Sequence, residues 1–238
     1  MKQQFTRSLA AFLTSCTLLG SGCAGSYTAI RPDRIATYQS SAAPAPLQFG
    51  YQFDALRMHG RNKKYAKKEQ KKGYHVVAVR VTNTTGADVN FSRDAVLYYG
   101  DRPISPVAAS IAAKDMKQGV AIYLLYVLLN PTLTTTKTTN GYTTASDGTT
   151  FYVGPFIAGG NMLGAGLANA NFRKELEQFD LTDRVIHPGE TVYGLISVRE
   201  TTVAPLRLEL RSLASNSVPT PAAPMLTPAT TPAPGTSN

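Results

Sequence analysis

The sequence predicts a mainly β chain: an antiparallel sandwich carrying an inserted apolar helical pair. Two observations carry that expectation. Short stretches on either side of the middle place apolar residues at period two and close on Gly, Asn or Pro turns. Between them, two long uncharged segments break the alternation and read as helix.

The chain opens with Lys2 and Arg7 ahead of an apolar run over 9–20, the length of a secretory signal and too short to span a bilayer. Ser21-Gly22-Cys23-Ala24 follows, small residues that fit a narrow peptidase cleft. The stretch resembles the lipobox of bacterial lipoproteins, which implies cleavage before Cys23 and acylation of its thiol. Leu13-Thr14-Ser15-Cys16 fits the box locally, with Cys16 as the alternative site, but leaves only 9–13 as hydrophobic core and strands Leu18 and Leu19. Both cysteines lie in this leader, so the mature chain of about 215 residues has no disulfide framework and holds together by burial.

Residues 23–47 read as a flexible tether, because 40–46 is rich in Ser, Ala and Pro and poor in apolar bulk. Phe49, Tyr51 and Phe53 then share one face of a half-buried strand. Arg61 and Lys63, Lys64, Lys67, Lys68, Lys71 and Lys72 make a basic run relieved by Glu69 alone, within a net charge of +9. Such a run attracts anionic surfaces, lipid head groups included, or serves as a solvated loop or short helix. Nucleic acid is not expected, since Tyr65 is the only aromatic inside it.

The strongest strand follows, with Val77, Val79 and Val81 on one face, then turn residues 83–86, a strand beginning at 88–91 and another at 95–99. The insert occupies about 107–180 of a domain set at 48–212. Its first segment, 119–129, is uncharged and ends at Asn130-Pro131; its second runs uncharged from 149 to 172, with Gly160, Gly164 and Ala168 spaced for close helix packing. Phe172, Leu176 and Phe179 continue one helical face with Arg173, Lys174, Glu175 and Glu177 outside, and the Thr-, Asn- and Gly-rich stretch 132–150 reads as an exposed loop. Two readings of the insert stand: a hairpin dipping into the bilayer beside the anchor, or a helical pair packed on one sandwich face or against an envelope protein or second copy. The chain closes with a turn at His187-Pro-Gly-Glu190, strands over 191–198 and 206–210, and a Pro/Ala/Thr tail, 213–238, expected to be disordered.

Val76-Val-Ala-Val-Arg-Val-Thr-Asn-Thr-Thr-Gly86 and Pro188-Gly-Glu-Thr-Val-Tyr-Gly-Leu-Ile196 resemble the immunoglobulin-like domains of bacterial exported lipoproteins. The resemblance covers about a third of the chain, implies a binding or scaffold role and carries no functional residue over. The residues themselves offer no catalytic constellation. His59, His75 and His187 stand apart from metal spacing, Gly159, Gly160, Gly164 and Gly166 lack a nucleotide-site context, and Glu175, Glu177 and Asp180 read as solvating a helix end. No cofactor or metal is expected. The expected function is a lipid-anchored, non-catalytic envelope module attached to a bacterial membrane, the outer one favoured; the alternative is a membrane inserter using the insert and the basic run.

Overall fold

The computed structural model describes residues 24–40, 46–60, 62–133, 136–145 and 148–211. A 3₁₀ turn at Pro32–Arg34 leads to β1 (Gln39–Ser40) and β2 (Leu47–Gln52), and helices α1 (Ala55–Met58) and α2 (Lys63–Lys72) precede the longest strand, β3 (Tyr74–Asn83). β4 (Val89–Asn90), the helical turn α3 (Phe91–Asp94), β5 (Ala95–Tyr99), β6 (Arg102–Ile104) and α4 (Ala109–Met116) follow. The 3₁₀ run Ala121–Leu128, short strands β7 (Thr132–Leu133), β8 (Thr136–Thr139), β9 (Tyr142–Ala145) and β10 (Thr149–Thr150), and helix α5 (Gly154–Gln178) come next. β11 (Val185–Ile186), β12 (Thr191–Arg199) and β13 (Leu206–Leu210) complete the described chain.

The strands form antiparallel sheets: a central one in the order β1-β2-β3-β12, a second in the order β13-β5-β6, and two-stranded pairs β4 with β11, β7 with β10 and β8 with β9. β12 pairs with all of β3 but Asn83, from Thr191 opposite Thr82 to Arg199 opposite Tyr74. Between the two larger sheets lies one core, built from Phe49 and Tyr51, Val77, Val79 and Val81, Leu97 and Tyr99, Ile196, and Leu206 and Leu208. The opposite face of the central sheet is also buried. Val76, Ala78 and Leu195 pack there against Tyr65, Met116, Phe172 and Leu176 from the helices. The molecule is therefore layered sheet, sheet, helix.

That second core explains why β3 reads as a nearly continuous apolar run rather than an alternation: both of its faces are covered. It also corrects the expected mainly β class. The fold is mixed, about 37% helix and 30% strand, because α2, α4 and α5 form a full layer.

Gly194 of β12 faces the core between the sheets, where a Cβ would lie 2.4 Å from Cγ of Leu181, a residue of that core. Leu181 is buried just beyond α5, and the Leu195 N–H donates to the Phe179 carbonyl at 2.8 Å, fixing how the helix returns to the sheet. Gly194→Ala is expected to overpack this corner and cost about 1–3 kcal/mol, read as a lower urea midpoint with an unchanged slope.

Three expectations change. Residues 24–40 are not a flexible tether: Ile30, Pro32 and Ile35 are buried and β1 pairs with β2. The stretch 132–150 is not a plain loop, because β8 and β9 form a hairpin over Asn140-Gly141, both at positive φ (52 and 80), as a two-residue type I′ turn requires. The strand expected from 88 shrinks to two residues before the turn α3. The leader 1–22, Cys23 and the tail 213–238 lie outside the described residues, as do 41–45 of the tether.

Candidate functional site: the junction around residues 25–31

Three buried polar side chains, one on α5, one at the start of α2 and one after α4, grip the backbone of residues 25–31. Gln118 accepts from the Gly25 N–H at 3.2 Å and donates to the Gly25 carbonyl at 2.8 Å. Asn62 does the same for Thr28, accepting at 2.9 Å and donating at 2.8 Å. Glu175 accepts from the Ile30 N–H at 3.0 Å, the Arg31 N–H at 2.9 Å and the Tyr27 hydroxyl. The segment has no strand partner here, so side-chain amides and a carboxylate satisfy backbone groups that a sheet would otherwise satisfy.

The apolar half of the grip is aromatic. Tyr27 meets Tyr65 edge-on at 5.3 Å and Phe172 at 5.4 Å, and Tyr65 lies 4.5 Å from Phe172. Burial and the Glu175 hydrogen bond raise the Tyr27 phenol well above its ordinary range. Burial pushes Tyr65 up to about 12, and its hydroxyl donates to Asn169 at 3.0 Å. Asn169 also exchanges two backbone bonds with Gln118, tying α5 to the segment after α4.

The predicted basic residues come together on one helix. Along α2, Lys63, Lys64, Lys67, Lys71 and Lys72 are exposed and Lys68 is half-buried, while Tyr65, Ala66 and Glu69 point inward. Gly73 closes the helix in the left-handed conformation, φ 65, with Lys71 and Lys72 in the last turn, where the helix dipole favours cations. Glu69, 5% exposed, accepts from the Val76 N–H at 2.6 Å, and burial raises its carboxyl to about 7. Lys64 donates to the Tyr123 hydroxyl at 3.1 Å, joining the lysine helix to the 3₁₀ run.

The small-residue stripe is occupied differently from expectation. Among Gly160, Gly164 and Ala168, only Ala168 is buried in the core; Gly160 faces open space, and a Cβ on Gly164 would lie 3.3 Å from Ala24 Cβ. The neighbour at Gly164 is thus Ala24, the first described residue of the chain itself. Packing on α5 instead follows Gly154, Ala158, Asn161, Ala165, Ala168 and Phe172, alternating four- and three-residue steps because a 3.6-residue turn drifts off a strict four-residue row. At Gly154 the 3₁₀ run comes so close that a Cβ would sit 2.3 Å from the Tyr126 carbonyl oxygen.

The 3₁₀ run Ala121–Leu128 and the first half of α5 form an arm that leaves much apolar surface unburied. Ile122, Leu124, Leu125, Val127, Leu128 (80% exposed) and Leu129 project from the 3₁₀ run, and Phe156 (82%), Leu163 (70%) and Leu167 from α5. Among the described residues no helix is long and apolar enough to cross a membrane.

The carboxylates Glu175, Glu177 and Asp180 do not form a cluster. Glu175, expected outside, is 6% exposed and clamps the early segment; Glu177 pairs with Arg173 at 3.6 Å, and Asp180 accepts from the Thr182 N–H and hydroxyl at 2.9 and 2.7 Å. No family model, curated protein or solved structure matches the chain.

Proposed function

We propose that the chain is an exported, lipid-anchored protein of a bacterial cell envelope, acylated on Cys23, that acts as a non-catalytic binding or scaffold module. The observation that carries the reading is the grip of Gln118, Asn62 and Glu175 on residues 25–31, which begins two residues after Cys23. A lipid on Cys23 then holds the folded body directly at a membrane surface, with no free spacer over 24–40. The paired four- and three-stranded antiparallel sheets around one core support an immunoglobulin-like sandwich, with the helical layer added on the far face of the central sheet. Such a body offers partners a rigid surface at a fixed distance from the bilayer. The outer membrane is the favoured site.

Growth of the producing bacterium with labelled palmitate tests this. Label is expected in the wild type and in Cys16→Ala, and not in Cys23→Ala; an unlabelled wild type contradicts the reading.

A further inference from the structure

We infer that the exposed arm and the lysine face of α2 together form a docking surface for an anionic phospholipid bilayer, on which the protein rests with its helical layer toward the lipid. The acyl anchor proposed above sets where the lipid emerges, but the surface itself is argued from other observations.

The first is apolar exposure. Soluble chains rarely leave a contiguous patch of many large apolar side chains in water. Here the 3₁₀ run exposes five such residues between Ile122 and Leu128, Leu129 just after it is a sixth, and Phe156, Leu163 and Leu167 extend them. Their seven- and four-residue steps set them in line on one side of α5.

The second is continuity with the point where the chain joins its leader. Leu167, Gly164 and Ala24 line one groove, Gly25 packs on the aliphatic stem of Lys64, and Lys64 reaches Tyr123. Cys23 is one peptide bond, about 3.8 Å between α-carbons, from Ala24.

The third is charge. Lys63, Lys67 and Lys71 repeat at four-residue spacing, an arrangement that weakens a helix by itself. Glu69, the one acid of α2, is turned into the core. Among the described residues no carboxylate forms an ion pair with Lys63, Lys67, Lys68, Lys71 or Lys72. A groove shared by Lys64, Lys67, Lys68 and Lys71 with Ile122 shows that basic and apolar parts adjoin. A twofold contact between copies through this face would bring lysines toward lysines, whereas an anionic bilayer supplies both the charge and the apolar interior these residues lack.

The geometry fits a surface contact. As a 3₁₀ helix the eight-residue run Ala121–Leu128 is about 16 Å long, about half the hydrocarbon thickness. It can enter the interface and cannot traverse the bilayer.

The test uses chain 23–238 with Cys23→Ser, which keeps every described residue and carries no lipid. Sedimentation with phosphatidylethanolamine–phosphatidylglycerol vesicles is expected to take the protein down, and raised salt or phosphatidylcholine vesicles to release it. Leu124→Ser/Leu125→Ser/Leu128→Ser alters only exposed side chains and is expected to weaken binding at least about tenfold. Lys63→Gln/Lys67→Gln/Lys71→Gln is expected to lose about fivefold per lysine on anionic vesicles and to leave the melting curve in place. Unbound wild type, or binding that the leucine variant does not weaken, overturns the proposal. So does a vesicle-free dimer that the leucine variant dissolves, which would assign the face to a second copy. Because this protein lacks the acyl group, none of these outcomes bears on whether Cys23 is acylated.

Discussion

Replacing Glu175 with alanine is expected to lower the thermal midpoint by about 6–12 °C and to free residues 25–31 from the body. The carboxylate receives the Ile30 and Arg31 N–H groups and the Tyr27 hydroxyl. Hydrogen bonds to a charged acceptor contribute about 1.5–3 kcal/mol each, and buried donors left without a partner cost about 1–3 kcal/mol. Discounted for relaxation of the gripped segment, the loss is about 3 kcal/mol, and in a chain of this size about 2–4 °C accompany each kcal/mol. Tyr27→Phe removes one donor and keeps the ring between Tyr65 and Phe172, so it should lose about 1 kcal/mol. The distinguishing readout is hydrogen exchange: the Ile30 and Arg31 amides lose protection in Glu175→Ala while Val77 and Val79, in the central strand, keep theirs. An unchanged midpoint with both amides still protected would mean that the aromatic contacts alone hold the segment.

Glu69→Gln is expected to make the protein more stable at pH 8 and no different at pH 4.5. Burial raises the Glu69 carboxyl from 4.5 to about 7 in the folded protein. The folded state therefore binds the proton more tightly than the unfolded one. Stability is full below pH 4.5, falls as pH rises from there toward about 7, and is level above it. A shift of that size corresponds to a difference on the order of 3 kcal/mol. Glutamine is neutral throughout and its oxygen can still accept from Val76, so the variant should show a flat profile and gain on the order of 2–3 kcal/mol at pH 8. Urea midpoints of the two proteins between pH 4 and 8 measure this directly, and parallel profiles would refute it.

Much of the β framework was legible because β physics writes it locally. Phe49 and Tyr51, Val77, Val79 and Val81, and Leu206 and Leu208 alternate as buried strands do, and they line the inter-sheet core. The helical layer was harder to read. In α2 the lysines mask a narrow inward face of Tyr65, Ala66 and Glu69, and in α4 the face is mostly alanine, too small to mark a period. The packing of 24–40 was not legible because Tyr27, Ile30 and Ile35 follow no helical or strand period and lie next to the Ser/Ala/Pro composition of 40–46; they are held by partners distant in sequence. Asn140-Gly141 is a strong hairpin signal that a threonine-rich background concealed. Glu175 could not be found from sequence at all. A glutamate beside Lys174 on a helix end reads as solvated, and only the return of residues 27–31 onto α5 makes it buried. Of the candidate site, the six lysines were legible individually; their meeting with the arm and with Ala24 is a product of tertiary packing.

The mass of the N-terminal peptide of the mature protein tests the central claim most directly, measured for the wild type and for Cys16→Ala and Cys23→Ala. The account predicts a peptide beginning at Cys23 with a diacylglyceryl group on its sulfur, unchanged in Cys16→Ala and lost in Cys23→Ala. A peptide beginning elsewhere, or one beginning at Cys23 with an unmodified thiol, would contradict it.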